Sequence, residues 1–350
     1  MAFNVNGSFK INNVLPPFSE LDNLPYYDYD LNDRFLLDEE LLQMTKERFK
    51  KHYVFYPFGA PTFILITSRG CPYKCSYCNN IRYVAMHGHS PIRFQSVNRF
   101  IDELEHAIRH FDFFQFVVFG DDDFLLRDRK QLEDFAGQYR KKIGLPFAIC
   151  VSANTFRMEK MEILLDAGLK LVQLGIQSGS QRILDEVFDR KIKVTKTREV
   201  VRQIVPYYKT HGMILLLDFI IDNPYETRND IIQTYEYLTN LPPHVRVNIF
   251  CLAFFPGTPI YNKALKDGFI EPYNEKTLRF FDKVNIITYQ NNYETFLILL
   301  FQFLRRHPRL RRYTPRFILR TLGSRLVRGI ASIFPQSFYK MLIKNIKYLT

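Results

Sequence analysis

Residues 62–80 read TFILITSRGCPYKCSYCNN. The opening run, TFILIT, is β-branched and aromatic, the pattern of a short buried strand. The polar stretch after it carries three of the chain's five cysteines, Cys71, Cys75 and Cys78, spaced C-x3-C-x2-C, with Tyr77 directly before the last. An odd number of cysteines, three of them clustered, makes no disulfide framework and suits a reducing compartment in which thiolates hold a metal. Two chemistries fit the spacing. Three thiolates can hold three irons of a 4Fe–4S cluster and leave the fourth iron open, where electron-transfer clusters take four cysteines. Alternatively the three close a Cys3His zinc site with His87 or His89. Cys150 and Cys251 lie inside apolar runs and read as small buried thiols.

The strand signature recurs five times downstream, at FQFVVF (114–119), FAICVS (147–152), LVQLGI (171–176), ILLLDFII (214–221) and VRVNIFCL (245–252). Between these runs lie helical stretches near 97–110, 128–142, 157–167, 195–211 and 227–240; the second begins at Asp128, suited to cap it, and ends at Gly144 and Pro146. Strict alternation of strand and helix predicts an α/β fold with a parallel sheet and helical crossovers. Six units are too few for a closed eight-stranded barrel and predict a partial, open one, a (β/α)6 TIM-like arrangement. Ligands gather at the carboxyl ends of such strands. Each strand here is followed by polar or glycine-rich sequence: the cysteines, then GDDDF, SAN, QSGS, DNPYET and FFPGTP.

At 350 residues and 47% hydrophobic content the chain has material for a sizeable core. It opens without a basic or apolar leader pattern and has no run of about 18 uninterrupted apolar residues, so it reads as cytoplasmic. Residues 1–60, rich in Pro, Asn, Asp and Tyr, read as a lead-in segment with a short helix over 38–51. The core domain is expected over 61–275, and a basic helical extension over 276–350. From Thr295 to Thr350 there are nine Arg, three Lys and no Asp or Glu, so this segment carries the entire formal net charge of +12 and residues 1–294 sum to zero. That distribution excludes a generally basic core surface.

The cysteine loop and the rim sequences together resemble the radical S-adenosylmethionine enzymes, and most closely their cobalamin-binding type, over about residues 20–270. The resemblance implies a partial barrel whose Cys71, Cys75 and Cys78 hold a 4Fe–4S cluster. It implies S-adenosylmethionine chelating the open iron through its amino and carboxylate groups, and one-electron cleavage to a 5′-deoxyadenosyl radical. Tyr77 fills the place of the aromatic residue that packs near the adenine. FGDDDF resembles the F-x-D-D-x-F of the cobalamin-binding type, which implies methionyl-ammonium contacts from Asp121 and Asp122. The segment 151–184 resembles the family's ribose and adenine segment, with Gln177 in place of a glutamate; Ser152 and Asn154 are implied as further ribose or carboxylate contacts, and Arg190 as a partner of the cofactor carboxylate. DFIIDNPYET and FFPGTPIYNKALKDGFI resemble its fifth- and sixth-strand motifs. Asp218 and Asp222 point at ligand by position alone.

The chain departs from the cobalamin-binding pattern in having no D-x-H-x-x-G and only 70 residues before Cys71. A cobalamin methyl donor therefore cannot be assumed, and a separate cobalamin-binding chain is one expected partner. The substrate is expected to be a small or lipid-like molecule, with a reducing electron donor. Two rival functions are a non-catalytic partner subunit that keeps iron–sulfur or zinc, and an RNA-modifying radical enzyme. In residues 303–334, FLRRHPRLRRYTPRFILRTLGSRLVRGIASIF, a helical wheel puts Ile318, Leu322, Leu326, Ile330 and Ile333 on one side and Arg316, Arg320, Arg325 and Arg328 on the rest. This predicts an amphipathic helix over 305–350 that meets a membrane surface, binds RNA, or packs on the barrel with a solvated basic face.

Overall fold

The alternation of strands and helices governs the architecture of the chain. A computed structural model describes residues 2–5, 7–55, 59–88, 91–272, 288–311 and 314–348. In it the six apolar runs form strands β1 (Ala60–Leu65), β2 (Phe116–Phe119), β3 (Phe147–Val151), β4 (Leu169–Gln177), β5 (Ile214–Ile221) and β6 (Arg246–Cys251). They pair in sequence order, every neighbouring pair parallel, and curl into a half-barrel. A two-residue strand, Val54–Phe55, adds antiparallel to the free edge of β1. Helical crossovers connect the strands: α1 (Val97–His110), α2 (Arg129–Lys142), α3 (Met158–Asp166), α4 (Val194–Ile204) and α5 (Arg228–Thr239). Asp128 caps α2 in a reciprocal capping box with Gln131, and Thr227 caps α5 in the same way with Asp230. The helix expected over 195–211 is broken, because Pro206 has no amide to continue α4 and a short turn, Tyr207–His211, comes after it.

Period-two alternation sorts the strand side chains between two faces. Phe147, Ile149 and Val151 of β3, Leu174 and Ile176 of β4, and Leu215, Leu217 and Phe219 of β5 enter the main core beneath the helices. The residues between them face the hollow of the half-barrel. Its lower end is closed by a small apolar cluster of Phe116, Ala148, Leu171 and Leu216. One step further toward the carboxyl ends, the same inward rows carry Cys150, Gln173 and Asp218. The hollow is therefore apolar at its base and polar toward its rim.

Two expectations are corrected outside the sheet. The helix placed over 38–51 is a hairpin, Phe35–Asp38 against Glu40–Gln43, turning at Glu39 with φ 45°, and only Lys46–His52 is helical, capped by Thr45. Apolar pairs such as Leu37 and Leu41 meet across the hairpin, which local helix propensity does not anticipate. The basic segment is several helices and not one: after α6 (Pro259–Lys266) come α7 (Tyr293–Arg306), a turn at Pro308–Arg311, α8 (Arg316–Leu322), α9 (Arg325–Ala331) and α10 (Gln336–Tyr348). Pro315 precedes α8, the Ser324 hydroxyl caps α9 after Gly323, and Pro335 precedes α10. The boundary expected at 275–276 lies outside the described residues.

The loop after β5 carries a buried acid with a testable signature. Glu226 is 8% exposed, and burial pushes its carboxyl up to about 8 from an ordinary value near 4.5, with Asp230 and Asp222 adding to the rise. A carboxyl whose folded value is raised contributes stability that is complete below about pH 4.5 and is lost as the pH climbs toward 8. Glu226→Gln removes that titration, so its stability is expected to fall less than the parent's between pH 5 and 8, a difference on the order of a few kcal/mol at the upper end. Parallel melting profiles for the two proteins would show that Glu226 is not the titrating group.

Candidate functional site

The three cysteines meet at the carboxyl rim of the sheet. Cys71, Cys75 and Cys78 line one cavity of about 220 Å³ together with Tyr77, Asp122, Ser152, Gln177 and Arg190. Their loop is fixed by its neighbours. The Ser76 hydroxyl donates to the Val187 carbonyl at 2.6 Å and its amide to the Phe188 carbonyl at 2.9 Å, while its own carbonyl accepts from the Ile260 amide at 3.2 Å. Burial raises all three thiols, Cys71 to about 12, so they keep their protons at neutral pH until a metal displaces them. Among the described residues no three His, Cys, Asp or Glu side chains are grouped to hold a single ion. His87 stacks on Tyr83, away from the cavity lining, and His89 lies outside the described residues.

Tyr77 packs edge-on against Phe188, with ring centroids 4.8 Å apart, and its hydroxyl accepts a hydrogen bond from Arg190 Nη1. Arg190 Nη2 donates to the Gly175 carbonyl at 2.9 Å, while its buried Nε has no partner among the described residues. Lys191 turns outward and pairs with Asp189 at 2.6 Å, so the two adjacent cations part company. The backbone is contorted here: Gln177 (φ 69°), Asp189 (φ 45°) and Lys191 (φ 55°) all sit in the left-handed region, which costs on the order of 1–3 kcal/mol each for such residues. The β4 register also slips between Gly175 and Gln177. A Cβ at Gly175 would lie 2.6 Å from Gln177 Nε2 and 2.8 Å from Arg190 Nη2, so a larger residue here would displace the ends of both cavity side chains.

The sequence motifs divide once their side chains are placed. Asp122 is exposed into the cavity, where the Asn80 side chain hydrogen-bonds it and burial raises its carboxyl. Asp121 points the other way and does not line the cavity: Oδ1 accepts from the Thr67 and Ser68 amides, and Oδ2 accepts from the Thr67 hydroxyl and Arg127 Nη1, both at 2.8 Å. All its acceptor capacity is committed to holding β1 to β2. Of the SAN pair, Ser152 is in the lining and Asn154 is not; Asn154 donates to the Lys191 carbonyl and, with Ser152, hydrogen-bonds the Tyr73 hydroxyl. In QSGS only Gln177 faces the cavity. Ser180 Oγ donates to Asp230 at 2.6 Å and the Gly179 amide to Thr234 Oγ1 at 2.9 Å, so the rest of the motif clamps β4 to α5. The close approach explains Gly179, whose Cβ would fall 2.6 Å from the Gln233 carbonyl. Burial alone would raise Asp230, but donors from Arg182, Ser180 and Thr227 together bring it down to about 2.

The cavity continues into the hollow of the half-barrel, where the sequence marked Asp218 alone, by its position. Asp218 Oδ2 accepts from Gln173 Nε2 at 2.6 Å and Oδ1 from Asn248 Nδ2 at 3.0 Å, and Cys150 Sγ lies 3.7 Å from Gln173 Oε1. Cys150 is thus part of the cavity wall and not only a packed thiol, with burial lifting it to about 12. The strand period could have found these residues, because Cys150, Gln173 and Asp218 are all in the inward phase. Asp222, by contrast, accepts from the amides of Thr288, Tyr289 and Gln290 and organises that segment.

Against known families, residues 65–238 match the model described as the Radical SAM superfamily. An uncharacterised methyltransferase of Pyrococcus horikoshii is 25% identical over 81% of this chain and 56% of that protein. Cytidylyl-2-hydroxyethylphosphonate methyltransferase of Streptomyces wedmorensis is 23% identical over 74% of this chain and 46% of that protein. The chain spans about half the length of these curated relatives. Among solved structures, a radical S-adenosylmethionine methyltransferase from Kitasatospora setae, with cobalamin and a 4Fe–4S cluster bound, aligns with a TM-score of 0.48 and 16% identity over 59% of this chain and 40% of that one.

Proposed function

This chain belongs to the radical S-adenosylmethionine superfamily, and on that premise we propose that it is an enzyme of that class in which Cys71, Cys75 and Cys78 hold a 4Fe–4S cluster against which the rim residues orient S-adenosylmethionine. The observation that carries the reading is that the three thiols, Tyr77, Asp122, Gln177 and Arg190 line one cavity at the carboxyl rim. A zinc ion needs its donors to converge on one point, at about 2.3 Å for sulfur. A cluster of several metal atoms takes thiolates spread around a shared cavity, and the shared lining of Cys71, Cys75 and Cys78 supports that reading. When bound, the cluster supplies the electron that cleaves the sulfonium of S-adenosylmethionine reductively.

The chain's own residues do the positioning. The Asp122 carboxylate, open to the cavity and steadied by Asn80, is suited to accept from the methionyl ammonium. Arg190, held by Tyr77 and the Gly175 carbonyl, lines the cavity as the cation suited to a carboxylate. Gln177, held in the left-handed region, turns its amide to the cavity for ribose hydroxyls, and Ser152 offers a second hydroxyl contact. Neither Asp121 nor Asn154 is retained as a direct contact. Asp121 serves the site through β1 and β2, and Asn154 through Tyr73. The substrate is a small molecule seated in the hollow of the half-barrel, where Asp218, set between two amide donors, offers the polar anchor nearest the cofactor cavity.

Two relatives are named as methyltransferases, and methyl transfer is the reaction class this reading favours. Any corrinoid for such a transfer would be held outside the described residues, and the reduction calls for a one-electron donor. Anaerobic reconstitution with iron and sulfide is expected to load about four irons per chain and to give 5′-deoxyadenosine from S-adenosylmethionine under reduction. One zinc per chain and no nucleoside product would favour the non-catalytic reading.

A further inference from the structure

We propose that the surface formed by α9 and the turn after it binds the chain to anionic lipid bilayers. The segment from Arg305 to Tyr348 has two sides with different fates. One is fastened to the half-barrel: Leu319, Ala331, Tyr339 and Ile343 are buried in the main core, and Tyr235 Oη donates to the Leu319 carbonyl at 2.7 Å. Arg305, Arg316 and Arg320 turn inward to the loop after α5, bonding the Leu241 carbonyl, further carbonyls of that loop and Asn240. These contacts correct the picture of one continuous helix whose arginines all face away from the barrel.

Among the described residues the other side has no such partners. Leu326, Ile330 and Ile333 are 73%, 56% and 80% exposed, and their spacing of i, i+4 and i+7 brings them onto one stripe of α9 and its following turn. Phe334, half exposed, extends the stripe by one position. Val327 and Ala331, roughly a quarter turn or more away, are the residues by which α9 packs inward. Arg325, next to Leu326, is exposed, as is Lys340 on α10, and no Asp or Glu occurs anywhere from Thr295 to Thr350. Three adjacent long aliphatic side chains facing water are a marked interaction surface.

The combination of groups on this surface identifies the chemistry of its partner. Branched aliphatic chains with no polar atoms gain nothing from phosphates or base edges, whereas nucleic-acid surfaces use aromatic stacking and hydrogen-bond donors. A segment that carries twelve Arg and Lys and no Asp or Glu from Thr295 to Thr350 favours an anionic partner. Apolar contact within a cationic segment matches the boundary between acyl chains and acidic headgroups. The proposal is independent of the cofactor reading, since none of these residues touches the cysteine cavity. It makes the protein a peripheral binder; no helix among the described residues is long and apolar enough to cross a membrane.

The test is vesicle flotation of the full chain with phosphatidylcholine alone and with phosphatidylcholine containing phosphatidylglycerol. A second protein carries Leu326→Ser, Ile330→Ser and Ile333→Ser, all at exposed positions, with near-ultraviolet circular dichroism to check that it folds. The parent is expected to float with the anionic vesicles, to be released by high salt, and to lose at least about tenfold of its partitioning in the triple variant. Equal flotation of parent and variant, or none with anionic vesicles, overturns the proposal. Tight binding of the parent to a fluorescent oligoribonucleotide without vesicle binding would assign the surface to nucleic acid instead. A dimer that the triple variant dissolves, again without vesicle binding, would assign it to a second copy of the chain.

Discussion

Cys75→Ala, reconstituted anaerobically, should retain well under the four irons expected of the parent and form no 5′-deoxyadenosine above background. The C-x3-C-x2-C loop supplies three thiolates, so losing one leaves it two ligands for a cluster that needs three. Replacing an outer-shell partner of a metal ligand already costs about 10–100-fold in affinity or activity, and deleting a ligand itself must cost more. The fold should survive. Cys75 is a small buried thiol, and its loop is anchored through Ser76 to Val187, Phe188 and Ile260. Urea denaturation of the metal-free proteins is therefore expected to separate the variant from the parent by only about 1–2 kcal/mol. Cys150→Ala is the matched control: its thiol lines the same cavity, yet it stands on a strand, outside the C-x3-C-x2-C loop, and iron loading should be unchanged. Full iron content in Cys75→Ala, or equal losses in both variants, would defeat the assignment.

The strands were legible because a parallel strand covered on one side by helices is an apolar run, and six such runs alternate with amphipathic stretches along the chain. The rim was legible for a related reason: ligand-facing loops must come directly after strand ends, and each run gives way to polar or glycine-rich sequence. Direction was what escaped. Asp121 and Asp122 are adjacent and chemically identical, and only Arg127, six residues downstream, decides which of them turns inward to a cation. Ser178 to Ser180 look like ligand groups until the capping Asp230 and Thr234 of α5 claim them. Cys150 and Gln173 escaped for the opposite reason, lying inside strand runs whose phase toward the hollow is set by pairing, while Asp218 was marked by position alone. In the basic segment the apolar spacing continues through Gly323–Ser324, but Ser324 caps a new helix there, and the wheel drawn across it joins residues that the fold separates.

Asp121→Asn and Asp122→Asn should therefore fail in different ways although they change neighbouring residues identically. Arg127 is 1% exposed, ringed by Phe94, Phe124 and Phe100 at 4.9, 4.4 and 5.7 Å from its guanidinium carbon, and Asp121 is the carboxylate that neutralises it. Removing one member of a buried ion pair leaves a desolvated charge behind, which costs about 3–5 kcal/mol. Asparagine also presents an amide where Thr67 and Ser68 direct N–H donors, so the end of β1 that launches the cysteine loop loses its anchor. The expected result is a large drop in the urea midpoint, with cofactor affinity falling only as the folded fraction falls. Asp122 faces the cavity, and its stability cost should stay near about 0.5 kcal/mol, as for other exposed substitutions. Losing a charge-assisted contact to the methionyl ammonium is worth about 1.5–3 kcal/mol, so S-adenosylmethionine should bind the reconstituted variant about 10–100-fold more weakly. Calorimetric titration beside urea denaturation reads both quantities on the same proteins. If Asp122→Asn binds S-adenosylmethionine as tightly as the parent, or Asp121→Asn loses affinity at unchanged stability, the two carboxylates have been given each other's roles, and the ammonium contact must be sought on the Thr67 side of the rim.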